Sequence, residues 1–160
     1  MLIIMQGRLR SSRLPAKGFF SFFDQCVWER MCDIALSIKG DNEIYFATGD
    51  LPENQLARPM VEKKGIRFFS GSENNVLDRY YQCALVYKPD IIVRITSDCP
   101  LIDPEVLDKM ISEYLTLKDF SPYFGVKYAD PSKGHNFPDG FNPEIFSFDI
   151  LQNTWKNATS

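Results

Sequence analysis

The first seventeen residues, MLIIMQGRLRSSRLPAK (1–17), join a short apolar run to a strongly basic loop. Residues 1–5 are apolar at every position, and a run that is apolar on both faces is typical of a strand buried within a parallel sheet. The next twelve residues, 6–17, contain four cations and two serines. The stretch therefore predicts a buried strand whose carboxyl end leads directly into a charged loop.

The rest of the chain alternates short apolar runs with amphipathic ones. Further strands are predicted at residues 43–48, 66–69 and 91–95, each separated from the next by a helical pattern. The segments YFGVKY and EIFSF and a terminal helix from near Asp149 complete the chain. Strand–helix alternation of this kind predicts an α/β fold with a mostly parallel sheet and right-handed crossovers.

Helix ends can be predicted from capping residues. Asp24 is predicted to be the N-cap of the first helix, and Gly40 is predicted to stop it. Asp103 is followed by proline, which favours the first position of a helix, and this helix is predicted to run to about Leu115. Pro89 is predicted to close the helix that precedes the strand at 91–95.

Length, charge and cysteine usage narrow the class of protein. The 160 residues fit one domain spanning residues 1–160. The net charge of -3 argues against a general nucleic-acid binder, because such a protein needs a basic face. The chain has four cysteines without a CxxC pair and a single histidine, which excludes a zinc-ligand pattern. The cysteines are predicted to be reduced thiols in a cytoplasmic protein. No apolar run approaches the roughly 18 residues of a membrane span. The apolar run at residues 1–5 is too short for a signal peptide, and charged residues follow it too closely.

The loop after the first strand is predicted to bind an anion. In parallel sheets, ligands bind beyond the carboxyl ends of the strands. Arginine can hold phosphate bidentately, serine can donate hydroxyl hydrogen bonds, and loop amides can turn towards an anion. The alternative is a solvated surface loop, and the spacing does not match a Walker A motif. The candidate residues are Arg8, Arg10, Ser11, Ser12, Arg13 and Lys17.

The loop after the fourth strand, TSDCPLIDP (96–104), offers a carboxylate at the same edge of the sheet. Asp98 directly follows an apolar strand, and Mg2+ typically uses one or two carboxylates together with phosphates. Asp98 could equally be a turn-forming residue ahead of Pro100, and the spacing leaves both readings open. A second carboxylate is available at Asp139, with Glu144 nearby, although PDG is also an ordinary turn signal.

Other polar residues carry weaker signals. His135 is a polar loop residue with some potential for substrate contact. Ser72 and Glu73 precede a helical pattern and are explained by helix capping. Tyr80 and Tyr81 are expected to pack within that helix rather than to form a stacking platform.

Three motifs in register resemble the cytidylyltransferases that make CMP-activated sugars. The segments are QGRLRSSRLPAK, GSENNVLDRYYQCA with DIIVRITSDCPLIDP, and FPDGFNPEIFSF. The branch that they resemble is the spore-coat-polysaccharide type, which is related to acylneuraminate and 3-deoxy-manno-octulosonate cytidylyltransferases. The resemblance covers nearly the whole chain and implies a three-layer, Rossmann-like nucleotide-diphospho-sugar transferase fold.

The resemblance also implies a reaction and a set of site residues. The reaction would be an Mg2+-dependent transfer of CMP from CTP to a sugar acid or sugar phosphate, with release of pyrophosphate, for surface polysaccharide or glycoconjugate synthesis. The protein would be cytoplasmic, without nucleic-acid or membrane partners, and could form a homodimer. The triphosphate would contact Arg8, Ser12, Arg13 and Lys17; Mg2+ would bind Asp98 and Asp139; and Ser72, Arg79 and Thr96 would lie near the nucleoside.

Several positions depart from the pattern of this family. Arg10 and Ala16 stand where the family usually has glycine, and Asn142 stands where it has a second aspartate. The chain also stops at Ser160, where the family continues, so we expect a C-terminally short member. Two alternative functions therefore stay open: a transferase that uses another nucleoside triphosphate, and a nucleotide-binding homologue with impaired catalysis.

Overall fold

A computed structural model describes residues 1–11, 13–125 and 141–158. The chain alternates strands and helices, with two short 3-10 helices at Lys17–Phe19 and Pro52–Ala57. The strands are β1 (Leu2–Gln6), β2 (Ser21–Phe22), β3 (Gln25–Cys26), β4 (Glu43–Gly49), β5 (Arg67–Gly71), β6 (Ile91–Thr96), β7 (Tyr123–Gly125) and β8 (Glu144–Ser147). The helices are α1 (Val27–Ser37), α2 (Arg58–Lys63), α3 (Val76–Tyr87), α4 (Pro104–Leu117) and α5 (Phe148–Asn157).

Six strands form one sheet in the order β5-β4-β1-β6-β8-β7. The four strands from β5 to β6 run parallel, and β8 and β7 join antiparallel at the far side. As predicted, β1 lies inside the sheet, pairing with β4 on one side and β6 on the other. The remaining two strands, β2 and β3, form a separate hairpin.

Helices cover both faces of this sheet. Ile3 and Met5 of β1 point into a core with side chains of α1, α2 and α4, whereas Leu2 and Ile4 point into a second core with α3 and α5. All four of these β1 residues are fully buried. The fold is therefore a three-layer α/β arrangement with a mostly parallel sheet, as the sequence and the resemblance predicted.

The first helix begins later than predicted. Its N-cap is Cys26, whose backbone N–H donates to Glu29 Oε2 at 2.8 Å, and not Asp24, so that prediction was wrong. The chain forms the β2–β3 hairpin at residues 21–26, and Asp24 lies in the turn of this hairpin. The two-residue strands are too short to leave a periodic signal, which explains the error.

The other helix ends follow the sequence more closely. Asp103 caps α4, accepting from the N–H of Glu105 at 2.9 Å, and α4 extends to Leu117. The third helix ends at Tyr87 because Lys88, the residue before Pro89, takes the left-handed conformation with φ 52°.

Residues in the left-handed backbone conformation occur in the turns that lead from a helix to the next strand. Gly40 (φ 107°), Gly65 (φ 80°) and Lys88 lie between α1 and β4, α2 and β5, and α3 and β6, respectively. All three turns are at the amino edge of the parallel strands, and two of them use glycine, which tolerates this conformation without steric cost.

Across the three described stretches, no helix is both long enough and apolar enough to cross a bilayer.

Candidate functional site

The loops that follow β1, β4, β5 and β6 gather at the carboxyl edge of the parallel strands. Two cavities open among them. A polar cavity of about 210 Å³ lies between the loops after β1 and β6. A wider cavity of about 840 Å³ lies between the loops after β1, β4 and β5. Arg8 and Ser11 line both cavities, so the two spaces adjoin at the basic loop.

The basic loop is held against the sheet by backbone hydrogen bonds. Gly7 N–H donates to Ala47 O at 3.2 Å, which extends the pairing of β1 with β4 by one residue. Ala16 N–H donates to Leu9 O at 2.9 Å and so joins the two ends of the loop. Ala16 itself has φ 55°, in the left-handed region. This conformation explains why a glycine suits the position and why alanine there is strained.

Two glycines allow the loop to lie close to the core. A Cβ added at Gly7 would meet Ser97 Oγ at 2.3 Å, and one added at Gly18 would meet the Trp28 indole at 2.0 Å. Trp28 is 2% exposed and forms part of the wall of the polar cavity. Trp28 could not be recognised from the sequence, because an aromatic residue at a helical position has the same pattern as core packing.

An ion pair crosses the polar cavity. Lys17 Nζ donates a hydrogen bond to Asp98 Oδ2, joining the loop after β1 to the loop after β6. Partial burial by itself would raise the pKa of Asp98, but the hydrogen bond and charge of Lys17 outweigh this effect and lower it overall. Asp98 is therefore an ionised carboxylate at neutral pH. Thr96 and Arg13 also line this cavity.

The cysteine next to Asp98 is not an activated thiol. Cys99 Sγ lies 3.1 Å from Thr96 Oγ1, and burial is the main cause that raises the pKa of the Cys99 thiol. The thiol is therefore protonated at neutral pH and is a poor nucleophile.

A second ion pair borders the wider cavity. Arg10 Nε lies 2.6 Å from Glu53 Oε1, and both residues line the cavity wall. The sequence pattern indicates no individual role for Arg10 within the basic loop. In the structure it joins this loop to the 3-10 helix that follows β4.

Behind the wider cavity lies a buried polar cluster centred on Asn54, which is completely buried. Its Oδ1 accepts from Leu9 N–H at 2.8 Å, and its Nδ2 donates to Glu73 Oε2 at 2.8 Å and to Gly49 O at 3.2 Å. Glu73 is 9% exposed, and its Oε1 lies 3.6 Å from Arg8 Nη1. Gly49 makes room for the cluster, because a Cβ there would overlap Glu73 Oε2 at 1.6 Å.

The prediction that Glu73 caps α3 was therefore wrong. The N-cap is Asn75, whose Oδ1 accepts from Asp78 N–H at 2.9 Å. Ser72 Oγ accepts from Asn75 N–H at 3.0 Å, so the serine does stabilise the entry to the helix, as well as lining the wider cavity. Glu73 instead turns back towards the sheet, because its own N–H donates to Asp50 Oδ1 at 3.2 Å.

Arg79 supports the same loop from the interior. Its side chain is completely buried and donates to the carbonyl oxygens of Ser72 and Glu73. Burial is the largest influence on its pKa, which is lowered. Its Nε and Nη2 have no hydrogen-bond partner among the described residues. Arg79 thus lies behind the wall of the wider cavity and supports the backbone of the loop that forms this wall.

Glu144 lies away from both cavities. It pairs with Arg94 on the adjacent strand β6 and accepts from the Tyr123 hydroxyl at 2.7 Å. Burial and the bond to Glu144 raise the pKa of Tyr123 to about 12, so the tyrosine remains a donor. Glu144 thus joins β6, β8 and β7 through its contacts with Arg94 and Tyr123.

Most of the predicted site residues converge. The polar cavity brings together Arg8, Arg13, Lys17, Thr96 and Asp98. Three other predicted residues, Ser12, Asp139 and His135, lie outside the described residues. Tyr80 and Tyr81 lie on α3 and are buried in the core, as expected.

Comparison with known proteins identifies the family. Residues 2–137 match the cytidylyltransferase family. An uncharacterized protein of Methanocaldococcus jannaschii is 36% identical over 155 residues, covering 97% of this chain and 60% of that protein. The spore coat polysaccharide biosynthesis protein SpsF of Bacillus subtilis is 36% identical over 119 residues, covering 71% of this chain and 49% of that protein.

A solved structure agrees with these matches. A cytidylyltransferase from Leptospira borgpetersenii serovar Hardjo-bovis superposes with a TM-score of 0.89 at 28% identity, over 99% of this chain and 64% of that one. The chain thus spans less than two thirds of these relatives. The matched region contains the basic loop, the Asn54–Glu73 cluster and Asp98. The chain belongs to the cytidylyltransferase family.

Proposed function

We propose that this protein transfers CMP from CTP to a sugar acid or sugar phosphate, releasing pyrophosphate. The observation that carries the proposal is the pair of adjoining cavities at the carboxyl edge of the sheet. One is polar and lined by Arg8, Arg13 and Lys17 opposite Asp98, and the other is several times larger. This arrangement suits a triphosphate in the polar cavity and a nucleoside in the wider one.

The cations supply the binding energy for the phosphates. Arg8 lies at the junction of the two cavities, where it would contact the phosphate nearest to the nucleoside. Arg13 and Lys17 lie in the polar cavity, where they would neutralise the β- and γ-phosphates. We assign Ser12 and Ser72 to the same ligand, on the family pattern for Ser12 and on the position of Ser72 in the wall of the wider cavity.

The donor set at Asp98 fits a divalent cation that enters with the nucleotide. Asp98 presents one ionised carboxylate to the polar cavity. The described residues contain no group of three or more His, Cys, Asp or Glu that could hold an ion without further ligands. Mg2+ commonly binds through one or two carboxylates together with phosphate oxygens. We therefore propose Asp98 as the Mg2+ ligand, with Asp139 as the second carboxylate on the family pattern.

The transfer is a displacement at the α-phosphorus. An oxygen of the acceptor attacks, releasing its proton to water where it is a hydroxyl. The bond between the α-phosphorus and the α,β-bridging oxygen breaks, and pyrophosphate leaves towards Arg13 and Lys17. When bound, Mg2+ supplies further charge neutralisation at the phosphate oxygens. The residues of this chain act by positioning the reactants and by stabilising negative charge, without a covalent intermediate.

The test has two stages. Calorimetric titration with each of the four nucleoside triphosphates in the presence of Mg2+ should show a preference for CTP. Pyrophosphate release is then measured with CTP and a panel of sugar acids and sugar phosphates. Preference for another triphosphate would replace the nucleotide assignment, and binding without turnover on any acceptor would indicate a catalytically impaired homologue.

A further inference from the structure

The buried residue Asn54 connects three of the loops that build the candidate site. Asn54 lies in the loop after β4, accepts from the backbone of the loop after β1 at Leu9, and donates to the last residue of β4 at Gly49. It also donates to the side chain of Glu73 in the loop after β5. These strands are neighbours in the sheet. One side chain therefore fixes the relative positions of three walls of the wider cavity.

Both the amide nitrogen and the carbonyl oxygen of the Asn54 side chain are hydrogen-bonded. Its amide donates two bonds, at 2.8 and 3.2 Å, and its carbonyl accepts one at 2.8 Å. Because the side chain is completely buried, it is positioned behind the wall rather than in contact with a ligand. Buried polar clusters that are satisfied in this way specify a single arrangement, whereas partly satisfied ones are costly.

The cluster also reaches a cation of the candidate site. Glu73 uses Oε2 to accept from Asn54 and leaves Oε1 at 3.6 Å from the Arg8 guanidinium. Arg8 is 45% exposed in its side chain, so Glu73 is the anchor that restricts an otherwise mobile group. Asn54 in turn restricts the carboxylate of Glu73.

We propose that Asn54 is a positioning residue that acts through Glu73 and Leu9 to preorganise the basic loop and to direct Arg8 at the bound nucleotide. The inference rests on the proposed function, since the ligand is taken to be CTP. It predicts that affinity for CTP depends on a side chain that does not touch it. Rigid placement of ligand-binding groups by their supporting residues is what makes a site tight.

The test exchanges the hydrogen-bond donor and acceptor between Asn54 and Glu73. Asn54→Asp keeps an acceptor for Leu9 but places a carboxylate against Glu73, and we expect it to weaken CTP binding about tenfold or more. Combining it with Glu73→Gln restores a donor–acceptor pair, so the double variant should bind CTP about as well as Glu73→Gln alone and better than Asn54→Asp. Glu73→Gln alone keeps an acceptor for Asn54 but removes the charge facing Arg8, and a loss of about fivefold is expected.

A second readout needs no ligand. In the ligand-free protein, the Leu9 amide should exchange with solvent about tenfold faster in Asn54→Asp, because repulsion displaces the bonded side chain, and should be protected again in the double variant. Asn42→Asp is the matched control. Asn42 donates two bonds at 3.1 Å to carbonyls near the end of α1, at the opposite edge of the sheet. It should lower thermal stability while leaving CTP affinity and Leu9 exchange unchanged.

The outcomes separate the inference from the function on which it rests. A wild-type protein that does not bind CTP contradicts the proposed function, and Leu9 exchange still decides whether Asn54 holds the loop. Wild-type affinity in Asn54→Asp, unchanged Leu9 exchange, or a double variant no better than Asn54→Asp would each overturn the inference. If Asn54→Asp does not fold, the Glu73→Gln variant decides, because undiminished CTP affinity in it excludes a role for the pair.

Discussion

Lys17 and Asp98 lie 81 positions apart in the chain and meet across the polar cavity. Until a ligand binds, each side chain neutralises the charge of the other. A triphosphate offers Lys17 a stronger partner, and its accompanying cation offers Asp98 a replacement for the ammonium group. At the scale of single residues, the ion pair thus holds the side chains of two proposed ligand-binding residues in place while the site is empty.

Replacing Lys17 tests its assignment. We expect Lys17→Ala to slow pyrophosphate release about a hundredfold or more, since removing one donor to developing negative charge typically costs about 2.7–4 kcal/mol. Lys63→Ala removes an exposed lysine from α2, outside the lining of both cavities, and should leave the rate unchanged. An unaltered rate in Lys17→Ala, measured under saturating substrates, would contradict the role given to Lys17.

The same variant should change the titration of Asp98. Lys17 is a main reason that the pKa of Asp98 is below its ordinary value of 3.8 despite partial burial, so Lys17→Ala should raise that pKa. A lowered folded-state pKa stabilises the protein above pH 3.8, and this contribution is lost as the pH falls through the folded-state value. Carboxyl-carbon NMR titration measures the shift directly. A pKa equal to that of the wild type would show that the ion pair does not persist in solution.

At the scale of elements, the turns at the amino edge are governed by backbone conformation. Gly40 and Gly65 place glycine in left-handed turns that enter β4 and β5, but the turn that enters β6 uses Lys88. Lys88 N–H donates to Ala84 O at 2.8 Å, which ends α3 in the usual left-handed capping geometry. A lysine side chain adds steric cost there, and no ion pair of Lys88 within the described ranges offsets it.

Lys88→Gly should therefore stabilise the protein by about 0.5–1 kcal/mol, because relief of left-handed strain exceeds the added entropy of the unfolded chain. Lys118→Gly is the matched control, since Lys118 also ends a helix but has φ -57°. The control should be neutral or destabilising. Urea denaturation of both variants measures the difference, and an equal effect of the two substitutions would show that conformation at residue 88 is not the cause.

At the scale of the whole molecule, the sheet has two parts with separate roles. The parallel strands β5, β4, β1 and β6 carry the cavities, whereas β8 and β7 extend the sheet antiparallel and are tied to β6 by Arg94 and Glu144. Burial tends to lower the pKa of Arg94, but Tyr80 and Glu144 raise it overall, so the guanidinium is charged. Stability should depend on this pair more strongly than ligand binding does.

Glu144→Gln should lower the free energy of unfolding by about 1–2 kcal/mol, as a mostly buried charge-assisted bond is weakened. Affinity for CTP should change less than about twofold, because the substituted side chain remains at the far side of β6. Thermal unfolding and calorimetric titration of the same sample measure both quantities. A large loss of affinity with unchanged stability would show that the antiparallel part contributes to the site.

The sequence predicted those features that depend on local patterns. Apolar runs located the strands of the parallel sheet, and strand ends located the loops of Arg13, Lys17 and Asp98. Features that depend on distant contacts were not predictable. Asn54 lies in a short helical segment between prolines with nothing to mark it as buried, and Glu73 resembles a helix cap until the fold brings Asp50 and Asn54 beside it.

The left-handed turns at Gly40, Gly65 and Lys88 have a practical consequence for engineering the molecule. They lie at the opposite edge of the sheet from both cavities, and a side chain at Gly65 would meet no atom within 4 Å. Added sequence there, such as an affinity tag, a reporter domain or the new termini of a circular permutant, would extend away from the core. The molecule could therefore be tethered to a surface by this edge with both cavities facing the solution.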